Sequence, residues 1–252
     1  MSRLFQLLLT PVLIVIYWQI LSSSGLISPY LLPTPLKVWQ AAINMFETGV
    51  LQKHIIVSLI RVLSGFALSC LLGVILAGFV SSSIWIERLL SAPITLLRMI
   101  PPLAMVPLLI LWLGIGNETQ LTIIILASIF PIFLNTRDGL KRVDATQKEL
   151  AKSLNLSPIR YVFAIVIPNA IPSFVTGFRL AFGYSWRALV GAELIAASSG
   201  LGYLIVDAQE MLRTDEVIVG ILTIGILGWM LDSLINILSK KLLAHRFPEV
   251  AN

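Results

Sequence analysis

Charge is what this chain has least of. Only 12% of its 252 residues are Asp, Glu, Lys or Arg, whereas roughly a quarter of a typical soluble domain is charged. With 57% of the chain hydrophobic, that inventory cannot cover a water-facing surface, and it points to a membrane protein. Cysteine is almost missing: Cys70 stands alone in an apolar run, which excludes a disulfide framework and a cysteine-ligated metal cluster. The two histidines, His54 and His245, are far apart and do not suggest a histidine-centred metal site. No G-x-x-x-x-G-K-[ST] phosphate loop occurs, so any ATP must be bound by another chain. A Ser/His/Asp set, an H-E-x-x-H run and paired carboxylates at membrane depth are also missing, which argues against a membrane-embedded enzyme. Internal repeats of the kind expected of an ATP-independent secondary transporter are not evident. The net charge of +5 is no sign of nucleic acid, because the basic residues do not cluster with aromatics on a soluble surface.

What is present is apolar sequence in lengths that span a bilayer. A hydrocarbon core of about 30 Å takes roughly 20 helical residues, and only helices or closed barrels satisfy their backbone groups in lipid. Six stretches qualify, near 4–21, 58–80, 93–113, 119–136, 170–196 and 217–238, which predicts an all-α, polytopic membrane protein. The first stretch has Arg3 ahead of it, as a signal peptide would, but no Ala-x-Ala site follows, and it reads as an uncleaved helix. Orientation follows from the loops. With the N-terminus inside, Arg3, Arg88, Arg137, Lys141, Arg142, Lys148, Lys152, Arg160, Lys240, Lys241 and Arg246 are cytoplasmic, and Lys37, Lys53 and Arg213 lie outside. Eleven against three is the positive-inside bias of a multi-pass chain with a cytoplasmic N-terminus. Residues 1–56 read as a first transmembrane helix and an outer interfacial segment, with an amphipathic stretch from Leu36 to Phe46. Residues 57–252 form the core, with a cytoplasmic loop at 137–168.

That loop is the longest hydrophilic piece. From Asp144 to Leu154 its apolar residues Leu150, Ala151 and Leu154 recur at helical spacing, and a short helix with an apolar face and charged flanks is suited to a groove on a partner. Asn155 follows where a left-handed terminating turn is wanted, and Pro158 then prevents simple continuation. The run Glu149-Leu150-Ala151, three residues, Asn155, nine residues, Ile165-Val166-Ile167-Pro168 resembles the signature of the permease subunits of bacterial binding-protein-dependent ABC importers, Glu-Ala-Ala, three residues, Gly, nine residues, Ile-x-Leu-Pro. It departs from that pattern at Leu150, Asn155 and Ile167. The resemblance implies a type I ABC importer permease fold and a coupling helix with Leu154 and Leu156 in its docking region. It also implies a homodimer in the bacterial inner membrane, two ATP-binding cassette subunits holding ATP and magnesium, and an external solute-binding protein. The permease itself would carry no cofactor.

Within the spans, adjacent Pro101 and Pro102 remove two backbone donors, so the third span must start late, kink or break. Non-helical backbone at membrane depth is tolerated where it borders protein or water, which makes the two prolines candidates for the pathway or a simple bend. This segment, with Ser185 to Glu193 and Gly200 to Tyr203, resembles the branch that imports nitrate, aliphatic sulfonates, taurine, cyanate or bicarbonate. Arg179 and Arg187 fall about 14 and 26 Å along a fifth helix begun near residue 170. Each either faces an anionic solute, for which its planar donor fork is suited, or pairs structurally with Glu193 or Asp232. Arg61 and Arg98 sit close to span ends, where snorkelling explains them. Trp112 and Trp186 either close over a solute or anchor at interfaces. Gly65, Gly73, Gly183 and Gly191 are expected to serve close helix packing.

Overall fold

The computed structural model describes residues 3–246, which are helical nearly throughout and contain no strand. The outermost apolar element, α1 (Arg3–Ser23), leads through an extended segment to α2 (Pro35–Glu47). Thr34 starts α2 by accepting from the Lys37 amide, and Pro35 occupies its first turn, a position where the missing N–H has no helical partner to lose. Val38 and Met45 are the buried side of this helix, as the amphipathic pattern from Leu36 to Phe46 leads one to expect.

Three long helices make the centre: α3 (Val50–Ser81), α6 (Asn117–Lys141) and α9 (Ile167–Ala196). Between α3 and α6 two glycines set the approach. A Cβ at Gly65 would stand 2.8 Å from Ile124, and one at Gly73 would stand 2.9 Å from Ile132. Small residues at such interfaces let helix backbones come close where no hydrophobic drive favours helix over lipid. Ser128 adds a 2.7 Å bond across the same seam to Ser69, both hydroxyls being buried. Phe66 then meets Phe178 and Phe182 of α9 edge-on, with centroids 4.7 and 5.3 Å away. The surface of this bundle is apolar, as Leu71, Ile75, Trp229 and Ile237 illustrate, which is the inside-out distribution that suits lipid.

The third predicted span is broken. It begins at Ile84 rather than near residue 93, running as α4 (Ile84–Met99), an extended Ile100-Pro101 step, a tight turn at Pro102–Met105 and α5 (Val106–Leu113). The two parts are bent by 84°. The cause is covalent: neither proline can donate, and the residue before each is pushed out of the α region. Among the described residues, four helical stretches are long and apolar enough to cross a membrane, and the bent pair would be a fifth. The described apolar part of α1, Leu9–Ser23, is shorter. Beyond α6 come α7 (Ala145–Ser153) and α8 (Pro158–Tyr161), which runs through a widened turn at Val162–Val166 into α9. The chain then folds through α10 (Leu201–Glu210) into α11 (Thr214–Arg246). Gly202 is packed against the Val190 carbonyl and the Glu193 side chain, so the segment after Ala196 dips back beside α9 before α10 rises away.

Candidate functional site

At the loop end of the bundle, α7 ends in a motif built from two backbone bonds. Leu156 N–H donates to the Ala151 carbonyl at 3.0 Å, and Asn155 N–H donates to the Lys152 carbonyl at 3.0 Å. Asn155 takes φ 47°, the left-handed conformation in which Asn is second only to Gly. A reciprocal amide pair ties α7 to the foot of α9, Asn169 Nδ2 donating to Gln147 Oε1 at 2.7 Å. The expected single apolar side is split. Ala151 is buried, whereas Leu150 and Leu154 are exposed beside Glu149, because adjacent residues on a helix diverge by about 100°. Ala151 therefore anchors α7 to its own chain and the two leucines are left without partners. A cavity of about 670 Å³ opens here, lined by Ala151, Lys152, Asn155, Leu156 and Tyr161. Ile165 lies in the widened turn and Ile167 and Pro168 open α9. Ile167 N–H reaches back five residues to the Val162 carbonyl. Pro168 has no N–H for the Ala164 carbonyl, and its ring crowds that oxygen, a sufficient reason for the turn to widen.

At the other end lies a buried polar seam that the sequence reading missed. Arg61, on α3, is only 6% exposed and Glu193, on α9, 1%. Arg61 Nη1 donates to Glu193 Oε1 at 2.9 Å and to the Ser199 carbonyl at 2.5 Å. Its Nη2 bonds Ser199 Oγ at 3.0 Å and its Nε bonds Asn117 Oδ1 at 2.8 Å. The Ser58 hydroxyl lies 2.8 Å from both oxygens of Glu193. The first amides of α10 close the network: Gly200 N–H to His54 Nδ1 at 3.0 Å, Leu201 N–H to Ser58 Oγ at 2.8 Å and Gly202 N–H to Glu193 Oε2 at 3.0 Å. A helix N-terminus carries unpaired donors and partial positive charge, and Glu193 supplies both the acceptor and the counter-charge. Only glycine fits at residue 200, where φ is +117° and a Cβ would fall 2.2 Å from Glu193 Oε1.

Two expectations are corrected by this seam. Arg61 does not snorkel. Helix α3 starts at Val50 rather than near residue 58, which places Arg61 about 16 Å along it, and all three of its nitrogens donate hydrogen bonds within the chain. Glu193 pairs with Arg61 and with neither Arg179 nor Arg187, and its carboxylate, closed off from the surface, is occupied within the chain. The available signal was the balance of charges inside spans: an intramembrane acid requires a partner, and Arg61 was a candidate on another helix.

Arg179 and Arg187 are both on the exposed side of α9, about 12 Å apart along it. Among the described residues neither forms an ion pair. Arg187 lines a cavity of about 330 Å³ between α9 and α11, together with Trp186, Trp229 and Asp232. Trp186 is nearly buried, its indole lying on Gly228, while Trp112 is exposed near the end of α5. Gly65, Gly73 and Gly191 do serve packing, but Gly183 does not, as a Cβ there would meet nothing within 4 Å. On the other flank of α9, a cavity of about 300 Å³ is lined by Arg98, Ile100, Pro102, Phe130 and Tyr184. Pro102 thus borders open space, and Pro101 is exposed beside it.

The chain is similar in sequence and in fold to known proteins. Residues 69–244 match the family described as binding-protein-dependent transport system inner membrane component. The chain is 40% identical over 230 residues to the aliphatic sulfonates transport permease protein SsuC of Escherichia coli (strain K12), covering 91% of this chain and 88% of that one. It is 33% identical over 236 residues to the taurine transport system permease protein TauC of the same strain, covering 92% and 86%. In fold it is similar to a chain of an amino acid ABC transporter solved with histidines, with a TM-score of 0.67, 18% identity and coverage of 79% of this chain and 97% of that one. The chain belongs to the family of binding-protein-dependent transport system inner membrane components, multi-pass permeases of ABC importers.

Proposed function

We propose that two copies of this chain form the pathway of an importer for a small organic anion, and that α7 couples it to a separate ATP-binding cassette subunit that holds ATP and magnesium. In this reading the N-terminus and α7 are cytoplasmic and an external binding protein delivers the solute. The sulfonate and taurine named for two relatives support an organic oxyanion as cargo, and the exposed Arg179 and Arg187 offer it donor forks. Trp186 borders the Arg187 cavity, and Pro101 and Pro102 stand on the other flank of α9. Glu193 holds α10 in place and does not contact solute.

The carrying observation is the unpartnered pair Leu150 and Leu154 on a helix whose end is locked by Asn155 and whose other side is anchored by Ala151. A helix held so firmly with apolar side chains outward is suited to a complementary groove. Movement of that groove on nucleotide binding would be transmitted through α8 and the widened turn to α9, a shift between two discrete packings. The test is co-purification of the cognate ATPase with the intact chain and with Leu150→Lys and Leu154→Asp, each checked for insertion and thermal stability. Stable variants that lose the ATPase support the coupling role. Stable variants that retain it at wild-type yield overturn that role.

A further inference from the structure

The cavity between α9 and α11 has two charges of opposite sign on its rim. Arg187 comes from α9 and Asp232 from α11, both are exposed, and both line the same space. They are ion-paired neither with each other nor with any other described residue. Arg187 lies about 14 Å before the end of α9 and Asp232 about 27 Å from the start of α11. The two nevertheless line one cavity. Both residues lie in helices long and apolar enough to cross a membrane, where an unpaired charge is costly unless it faces water, a partner or a ligand.

The walls between these charges are chemically distinct from the charges. Trp186 and Trp229 present indole surface. Gly183 and Gly225 leave backbone on the cavity surface, and a Cβ at either would meet nothing within 4 Å. Gly228 cannot carry a side chain at all without displacing Trp186, since a Cβ there would stand 2.6 Å from its Nε1. The volume, about 330 Å³, is at the small end of the roughly 300–1,000 Å³ of small-molecule pockets.

From this arrangement we infer that the α9–α11 groove is a subsite for a small zwitterion, an oxyanion and an ammonium group joined by a short aliphatic spacer. The oxyanion is held by the Arg187 fork, the ammonium by the Asp232 carboxylate and the spacer by the two indoles. Unpaired charges of opposite sign lining one largely apolar cavity match a molecule that carries both signs on an apolar spacer. A simple inorganic anion would satisfy Arg187 and be repelled by Asp232. The inference rests on the permease reading above and narrows its solute.

The test is calorimetric titration of the permease–ATPase complex in lipid nanodiscs with three probes: 2-aminoethanesulfonate, ethanesulfonate and nitrate. The expected result is at least ten-fold tighter binding of the aminosulfonate than of either other probe. Asp232→Asn removes that preference while leaving ethanesulfonate affinity unchanged or improved, and Arg187→Gln abolishes binding of both sulfonates. Thermal unfolding of each variant complex shows that it is assembled. Absence of binding to wild type, absence of preference, or a preference that survives Asp232→Asn overturns the inference. So does a disulfide between copies in the Arg187→Cys/Asp232→Cys variant, which would mean that the second copy fills the groove. ATP-driven uptake by the wild-type complex in proteoliposomes separates the two levels. Uptake with failed titrations rejects this subsite alone, whereas a chain that assembles with no ATPase rejects the permease reading beneath it.

Discussion

Loss of either partner of the Arg61–Glu193 pair should severely destabilise the end of the bundle at which α10 starts, and loss of both should cost no more than loss of one. Arg61 makes four bonds, to Asn117, Glu193 and two atoms of Ser199. In Arg61→Met the Glu193 charge stays closed off, with only the Ser58 hydroxyl and the Gly202 amide to stabilise it. Removing one member of a buried pair typically costs ~3–5 kcal/mol, mostly the penalty of the orphaned charge. Glu193→Gln orphans the Arg61 cation and turns an amide NH2 toward Ser58 or Gly202, so its cost should fall in the same range. The double variant has no charge left to orphan. A double-mutant cycle by equilibrium unfolding in mixed micelles should therefore give a coupling free energy of about 3 kcal/mol, since each single loss already incurs the charge penalty. Costs that add to within ~0.5 kcal/mol would refute the account and mean that water reaches the seam.

Two further outcomes follow from backbone geometry. Leu212 adopts φ 58° with its side chain 82% exposed, so Leu212→Gly should relieve a left-handed cost and raise stability by ~1 kcal/mol, read as a higher unfolding midpoint. Gly65→Ala should lower it by ~1–3 kcal/mol, because its Cβ would enter the space of Ile124, 2.8 Å away, in an already filled seam.

The loop end was legible in the sequence because its determinants are local. Helical spacing and an Asn at the terminating position act within about a dozen residues, and the structure reproduces the helix and the left-handed Asn155. The break in the third span was legible for the same reason, since Pro101 and Pro102 act on their own backbone. The seam was not, because its members are assembled from α3, α6, α9 and the turn before α10. A reading along the chain ranks Arg61 by its distance from a span end and cannot see that Ser199 and Glu193 arrive beside it. Gly200 entered the sequence reading only as part of a resemblance, and the carboxylate against its backbone shows why no side chain is allowed. The division of α7 into an anchored Ala151 and free Leu150 and Leu154 was likewise invisible, because periodicity gives a face without saying what lies opposite.

The seam also imposes an order of events during synthesis. Arg61 and Glu193 are separated by 132 positions, so at roughly 5–20 residues per second the ribosome delivers the acid on the order of ten seconds after the base. For that interval the guanidinium has no permanent counter-ion, and α3 must be held by the insertion machinery, by water or by lipid phosphates. A nascent chain stalled before residue 193 should remain loosely committed to the bilayer. Translation of the α9–α10 turn is then the moment at which the Arg61–Glu193 network can close.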